Sequence, residues 1–198
     1  MKLVLATQNP KKLKEMNEIL SHLGVEVVSE AELGVRIEVE ETGETFTDNA
    51  RLKATAVMQA TGLPAVADDS GLCVDALNGG PGVYSARFGG EGLDDTGRYR
   101  LLLQMMHGQA DRRAHFHTTI TCAFPNGDVL QDDGEVEGTI AFAPMGENGF
   151  GYDPVFFVPD KRKTFAQLSA EEKAEISHRG KALRAFKETL KNYLAEHQ

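Results

Sequence analysis

Short apolar runs alternate along this chain with segments in which apolar residues recur every three or four positions. The runs at residues 2–6 and Val25–Val28 are typical of buried strands, and Leu13, Met16 and Leu20 lie on one face of a predicted helix between them. The same patterns predict further helices near 45–58, 94–107 and 177–194, and strands near 65–67, 72–77, 114–124, 128–141 and 155–158. The chain therefore combines helices and strands along its whole length.

The stretch from Ala65 to Gly71 joins an apolar run to two adjacent carboxylates. The pattern predicts that the strand ends at Ala67 and that Gly71 allows the backbone to turn. Side chains alternate in a strand, so Asp68 and Asp69 are expected to point in opposite directions, one into a cleft and one bracing the turn. Because adjacent buried carboxylates repel, a divalent cation would stabilise them. An ordinary Asp-Ser-Gly turn is the alternative.

Lysines are concentrated where the first predicted helix begins. Asn9 is a suitable N-cap and Pro10 a suitable first helical residue. Lys11, Lys12 and Lys14 then place cations at the end of the helix dipole that is already positive. A bound anion would make this arrangement favourable, which predicts a phosphate site without the glycines of a Walker loop. A solvated basic surface patch is the alternative.

An acidic segment precedes the second predicted helix. Residues 38–45 contain four glutamates, and Thr45 or Thr47 can cap the helix that follows. Acidic residues near a helix start suit its dipole, which is the structural interpretation. The functional interpretation is a second source of carboxylates for a hard cation such as Mg²⁺.

Two further segments carry candidate chemistry. The loop from Met145 to Pro154 places aromatic residues between glycines, which suits stacking against a base, although a simple turn is the alternative. Ser169 begins a capping box on a short helix that carries Lys173. Ser177 caps the last helix, where His178 and Arg179 again place cations at the positive end.

Size and charge limit the possible functions. The chain has 198 residues, 41 % of them hydrophobic, which is enough for one domain with a proper core. Its net charge of −9 makes long nucleic acid an unsuitable partner. Cys73 and Cys122 lie in apolar surroundings and are expected to be small buried hydrophobes in a reducing compartment. No signal peptide or membrane span is predicted, so a cytoplasmic location is expected.

Six motifs occur in a fixed order along the chain, namely Thr7–Lys12, Glu40–Gly43, Ala67–Leu72, Gly82–Arg87, Gly149–Pro154 and Ser177–Gly180. Their order resembles that of the inosine triphosphate pyrophosphatase family, and the closest likeness is to its bacterial branch. The resemblance implies an α/β fold with a long curved mixed sheet flanked by helices, in a single domain, residues 1–198, with two lobes and a central cleft. It also implies Mg²⁺-dependent hydrolysis of dITP, ITP and XTP to the monophosphate and pyrophosphate, which removes these nucleotides from the pool, and a homodimer.

The resemblance also assigns roles to residues. Asp69 matches the general base and a metal ligand, Glu40 matches the other metal-site carboxylate, and Asp68 and Glu41 are adjacent to them. The positions that match the phosphate-binding part of the site are Thr7, Gln8, Asn9, Pro10, Lys11, Lys12, Ser70 and Lys173. The positions that match the base and sugar end are Phe150, Gly151, Tyr152, Asp153, His178 and Arg179. Gln8 stands where many relatives carry glycine, which puts the detailed contact at that position in doubt.

Three other functions remain open on the sequence. A nucleotide-binding module could keep the pocket without the chemistry, and a related pyrophosphatase could prefer modified pyrimidine triphosphates. A nucleic-acid-binding protein is the third, and the negative net charge disfavours it. The expected partner is therefore a purine nucleoside triphosphate, with no nucleic acid and no membrane.

Overall fold

A computed structural model describes residues 1–197, which form five α-helices and seven β-strands. The helices are α1 Pro10–Leu20, α2 Phe46–Thr61, α3 Asp95–Met105, α4 Ala170–Ile176 and α5 His178–Glu196. The strands are β1 Lys2–Leu5, β2 Glu26–Ser29, β3 Ala65–Val74, β4 Arg113–Ala123, β5 Val129–Ile140, β6 Phe156–Val158 and β7 Lys163–Thr164. None of the described helices is both long and apolar enough to cross a lipid bilayer.

The seven strands form one mixed sheet in the order β2-β1-β3-β4-β5-β6-β7. β1 runs parallel to β2, with Lys2 opposite Glu26, and parallel to β3, with Val4 opposite Ala65. β6 runs antiparallel to both β5 and β7. The predicted α/β class with a mixed sheet is therefore confirmed.

The chain divides into two compact units, and β3, β4 and β5 contribute residues to both. The first unit comprises residues 1–69, 118–134 and the described residues from Ala182 onward. In its core, Leu3, Leu5 and Ile120 from the strands join a buried cluster with Met16 of α1 and Phe186 of α5. The apolar stripe that predicted α1 is thus its buried face.

The second unit comprises residues 70–117 and 135–181. Its core is built on aromatic rings. Phe116 lies with its ring centroid 4.7 Å from that of Phe156, and Phe156 lies 4.9 Å from Phe165. Leu72 and Leu102 are buried in the same cluster. Tyr152 and Val155, from the segment that precedes β6, are buried in the same cluster as these rings.

The predicted helix caps are confirmed. The Asn9 side chain accepts a hydrogen bond from the Lys11 N–H, and Pro10 is the first residue of α1. Thr45, rather than Thr47, caps α2, and it forms a reciprocal capping box with Asp48. Ser169 caps α4 in the same way, and the Ser177 hydroxyl accepts the Gly180 N–H at 3.0 Å.

The predicted turn at Gly71 is wrong. β3 continues without a break from Ala65 to Val74, so the two aspartates lie in the middle of a strand rather than at its end. Leu72 and Val74 are buried, and the Leu72 N–H is bonded to the Ser85 hydroxyl at 2.9 Å. Glycine usually weakens the interior of a strand, but here the burial of Leu72 and Val74 extends β3 beyond Gly71.

One helix face also differs from the expectation. Leu102 and Met106 are buried, as their spacing predicts, but Met105 is 45 % exposed. α3 therefore packs through a narrower stripe than the run of four apolar residues at 101, 102, 105 and 106 indicates.

Both cysteines are free thiols, but the prediction that both are buried holds only for Cys122. Cys122 is fully buried in the first core, and Cys73 is half-buried. Burial, with smaller contributions from Glu135 and Asp75, raises the pKa of the Cys73 thiol to about 11. Burial also raises the pKa of the Cys122 thiol. Both thiols are therefore protonated at neutral pH.

Ser85 connects the 3₁₀ segment Gly82–Arg87 to β3. Its hydroxyl accepts the Leu72 N–H at 2.9 Å and donates to the Gly82 carbonyl at 2.6 Å. Ser85 is 6 % exposed, so neither bond can be replaced easily by water.

We expect Ser85→Ala to lower the free energy of unfolding by about 1–3 kcal/mol, because it leaves the buried Leu72 N–H without an acceptor. Urea denaturation measures this change. Tyr84→Phe is the control, since Tyr84 is 59 % exposed and its variant should differ by less than about 0.5 kcal/mol. A Ser85→Ala effect no larger than that of the control would contradict the prediction.

Candidate active site

The two aspartates of β3 point to opposite faces of the strand and pair with different lysines. The Lys12 ammonium lies 2.7 Å from Asp68 Oδ2, and the Lys53 ammonium lies 3.3 Å from Asp69 Oδ1. The Asp68 side chain is only 3 % exposed. The predicted alternation of the aspartates is therefore present, although it occurs within a strand rather than at a turn.

The segment between β1 and α1 has its own local hydrogen bonds. The Thr7 hydroxyl accepts the Asn9 N–H at 3.2 Å, and Asn9 Oδ1 accepts the Lys11 N–H at 3.0 Å. The exposed residues of this segment are Gln8, Asn9, Pro10 and Lys11, and the half-buried ones are Thr7 and Lys12. Part of the predicted positive charge is already compensated within the protein, because Lys12 pairs with Asp68.

Lys53 is a site residue that the sequence reading missed. From α2, its ammonium lies 2.8 Å from Glu41 Oε1 and 3.3 Å from Asp69, and it donates to the Asp68 carbonyl at 2.8 Å. A signal for it exists in the sequence. Position 53 lies three residues after Ala50 and four before Val57, so this lysine occupies the apolar face of its helix. A cation on a buried face requires anionic partners.

Burial and charge act against each other in this cluster. Burial opposes the charge on Lys53, but the combined attraction of Asp69, Glu41 and Asp68 is stronger, so the pKa of Lys53 is raised. Burial raises the pKa of Asp69, and the nearby Glu41 adds to the rise, while Lys53 opposes it. Lys53 is therefore a stable cation, and Asp69 has a higher proton affinity than an ordinary aspartate.

The acidic segment is attached to α2 through Asn49. This side chain is fully buried, and its Oδ1 accepts the Gly43 N–H at 2.8 Å. A Cβ atom at Gly43 would lie only 2.6 Å from that oxygen, so the close approach requires glycine. Glu41 is half-buried against Lys53, whereas Glu40, the predicted metal ligand, is exposed.

The carboxylates around Asp69 fit a hard divalent cation. Asp69 Oδ2 is buried and makes no hydrogen bond, so one carboxylate oxygen is available to a ligand. Among residues 1–197, no three histidine, cysteine, aspartate or glutamate side chains are grouped so that they could enclose a metal ion. Mg²⁺ typically takes only one or two protein carboxylates and fills its other positions with water and phosphate. The residues that could supply such carboxylate oxygens are Asp69 and Glu41, which both lie against Lys53.

In the second unit, a buried ion pair organises the segment Gly149–Asp153, which we name the aromatic loop. Asp153 is 4 % exposed, and its Oδ2 accepts from the Lys173 ammonium at 2.5 Å and from the Phe150 N–H at 3.1 Å. A Cβ atom at Gly149 would lie 2.0 Å from the same oxygen, and Gly149 has φ of +74°. Glycine is therefore required where the loop turns over the carboxylate.

The aromatic loop leaves one ring exposed. Phe150 is 72 % exposed, and the Lys173 ammonium lies 4.8 Å from the centroid of its ring. Burial raises the pKa of Asp153, and Lys173 opposes this rise. Lys173 thus contacts both the carboxylate and the aromatic face.

Tyr152 does not present a free face, contrary to the expectation that both aromatic residues of the loop suit base stacking. It is 6 % exposed, and its hydroxyl donates to the Ser85 carbonyl at 2.7 Å. Burial raises the pKa of Tyr152 to about 12, so the hydroxyl remains a donor. Tyr152 anchors the loop, while Phe150 is the ring available to a ligand.

The remaining predicted residues lie at the ends of elements or within β3. His178 and Arg179 are half-buried and begin α5, and the His178 ring stacks on Phe116 at 4.7 Å with an interplanar angle of 10°. Ser70 is half-buried in β3, directly after Asp69. The predicted residues are thus brought together within each unit: Lys12 with Asp68, and Phe150 with Asp153 and Lys173.

Comparison with known proteins gives consistent results along the whole chain. The sequence model of the Ham1 family matches residues 3–189. A Thermus thermophilus protein named dITP/XTP pyrophosphatase is 52% identical over 97% of this chain and 93% of its own length. A Desulforamulus reducens protein of the same name is 52% identical over 100% of this chain and 99% of its own length.

Solved structures agree with the sequence comparison. The Staphylococcus aureus Ham1 protein has a TM-score of 0.93 and 42% identity, over 98% of this chain and 100% of that one. A HAM1 protein from Coxiella burnetii has a TM-score of 0.93 and 43% identity, over 97% of this chain and 99% of that one. Since the family model and these relatives span nearly the entire chain, this protein belongs to the Ham1 family.

Proposed function

We propose that this protein is a nucleoside triphosphate pyrophosphatase that hydrolyses dITP, ITP and XTP to the monophosphate and pyrophosphate. The observation that carries the proposal is the identity of about half the residues with proteins named dITP/XTP pyrophosphatase, over nearly the full length of both chains. The charged cluster around Asp69 supports it, because a triphosphate hydrolase needs both a base for water and cations for phosphate.

The residues around Asp69 are assigned to the phosphate chemistry. Water attacks the α-phosphorus, its proton passes to an Asp69 carboxylate oxygen, and the bond from the α-phosphorus to the bridging oxygen breaks to release pyrophosphate. Lys12 and Lys53 stabilise the negative charge that moves onto the leaving group. The other residues assigned to binding of the same phosphates are Thr7, Gln8, Asn9, Pro10, Lys11 and Ser70.

The residues that would hold Mg²⁺ are Asp69 and Glu40, and Glu41 is adjacent to them. When bound, this cation neutralises phosphate charge and polarises the phosphoryl group. The buried, unpaired Oδ2 atom of Asp69 supports this assignment.

The aromatic loop is assigned to the base and sugar. The exposed Phe150 ring offers a stacking surface, and Gly151 allows the backbone to approach the base closely. Asp153 and Lys173 hold the loop, and Tyr152 anchors it. His178 and Arg179 add hydrogen-bond donors that suit the 6-keto oxygen of hypoxanthine or xanthine.

The proposal extends to the setting of the reaction. We infer a homodimer that acts in the cytoplasm on free nucleotides and binds neither nucleic acid nor membranes. The net charge of −9 supports the exclusion of long nucleic acid.

The first test compares substrates. We expect kcat/KM for ITP, dITP and XTP to exceed that for ATP, GTP and dUTP by at least about 100-fold, because a site that hydrogen-bonds one base edge leaves buried polar groups unpaired with another. Pyrophosphate release is measured across this panel with Mg²⁺ present. A preference for pyrimidine triphosphates would contradict the proposed substrate, and tight binding of ITP without turnover would identify a binding module instead.

The second test concerns the base. We expect Asp69→Asn to lower kcat for ITP by about 10²–10⁴-fold, because the amide cannot accept the proton of the attacking water. Asp160→Asn is the matched control, since Asp160 is an exposed aspartate outside the site. Circular dichroism checks that both variants are folded. A folded Asp69→Asn protein with substantial turnover at saturating Mg²⁺ would rule out the assigned role.

The third test concerns Lys53. We expect Lys53→Met to lower kcat/KM for ITP by about 100-fold or more, because a preorganised cation in a partly buried site stabilises the leaving phosphate strongly. Lys191→Met is the control, because the Lys191 side chain is 60 % exposed and lies outside the assigned site. Equal activities of the two variants would show that Lys53 only balances the charge of its neighbours.

A further inference from the structure

The aromatic loop is held by a carboxylate from a distant part of the second unit. Asp95 Oδ2, on the first residue of α3, accepts the Gly151 N–H at 2.8 Å, although the two residues are 56 positions apart in the chain. Gly151 lies between the exposed Phe150 and the buried Tyr152, at a left-handed φ of +59°. The bond therefore acts on the residue that determines how these two rings are oriented relative to each other.

Side chains of the loop make two other attachments, and within the loop the Phe150 carbonyl of the same peptide group accepts the Asp153 N–H at 3.2 Å. Tyr152 is bonded to the Ser85 carbonyl, and Asp153 is bonded to Lys173 and to the Phe150 N–H. Both attachments use side chains that are almost fully buried. Asp95, in contrast, is exposed and adds little to the packing of the core.

The capping of α3 does not explain Asp95. Asp94 is the N-cap, and its side chain accepts the Gly97 N–H at 2.7 Å. Asp95 interacts with the helix dipole as any acidic residue in a first turn does, but its carboxylate is directed to the loop. Arg98, one turn further along α3, opposes the rise that burial causes in the pKa of Tyr152, while Asp95 adds to that rise.

We propose that Asp95 is a positioning residue, which holds the Gly151 peptide so that the Phe150 ring and the loop backbone are set for recognition of the purine base. This inference rests on the proposed function, since it deepens the role of the aromatic loop. Its hydrogen bond is made to the aromatic loop, which is assigned to the base, so Asp95 acts on binding and base selection rather than on the chemical step.

The consequence is a specific kinetic pattern. Asp95→Ala should raise KM for ITP about tenfold, the size expected for the loss of one charge-assisted hydrogen bond, with kcat changed less than about threefold. The preference for ITP over GTP should fall, because a loosely held loop adapts to either base. Asp95→Asn should retain most of the wild-type behaviour, since its amide oxygen can still accept the Gly151 N–H.

The experiment combines kinetics with amide hydrogen exchange of the full chain. The variants are Asp95→Ala and Asp95→Asn, with Glu91→Ala as an exposed acidic control on the segment before α3. We expect Asp95→Ala alone to show faster exchange in the aromatic loop, without faster exchange within α3. The KM and the ITP/GTP preference should change in the same variant.

Three outcomes would overturn the inference. One is unchanged exchange and KM in Asp95→Ala, and another is a defect in Asp95→Asn as large as that in Asp95→Ala. The third is a loss confined to kcat and thermal stability, which would mark a purely structural residue. If the wild-type protein does not hydrolyse ITP, the proposed function fails, whereas loop exchange still decides whether Asp95 holds the loop.

Discussion

The organisation of the first unit depends on one half-buried cation. Lys53 contacts the carboxylates of Glu41 and Asp69 and the backbone carbonyl of Asp68. Two adjacent aspartates in a strand interior would repel each other and lose solvation, and a separate lysine stabilises each of them by pairing with its carboxylate. This constraint explains why α1 and α2 both present a lysine to β3. It also leaves the cluster with more carboxylates than lysines and with one unpaired Asp69 oxygen, which is a suitable arrangement for a cationic ligand.

The second unit also contains a buried carboxylate that is paired with a lysine, but here the pair holds a loop. Its buried Asp153 is compensated by Lys173, and the resulting pair holds the peptide of Phe150. With Tyr152 turned inward to the Ser85 carbonyl, the loop can expose a single aromatic ring without becoming loose. Polar contacts of the buried side chains thus hold this loop, while the exposed ring remains available for binding. The fold provides one polar cluster suited to phosphate and one aromatic surface suited to a base.

Much of this could be predicted from local patterns. The caps at Asn9, Ser169 and Ser177 follow from interactions within one helical turn, and the strands and helices follow from apolar periodicity. The predicted end of β3 was wrong because polar residues and a glycine normally mark a turn, whereas here burial of Leu72 and Val74 extends the strand. Tyr152 was expected to share the role of Phe150, since composition alone does not distinguish a ring that faces the core from one that faces solvent.

The sequence by itself determined the inventory of the candidate site: the paired aspartates, the lysines at the start of α1, the acidic segment and the glycine-rich aromatic loop. It also placed the chain in a known family through the order of these motifs. Only the tertiary structure decided the partners: Lys53 with Glu41 and Asp69, Lys12 with Asp68, and Asp95 with Gly151. The reason is that helical and strand patterns describe neighbours along the chain, whereas the stabilisation of a buried charge depends on distance through space between residues far apart in sequence.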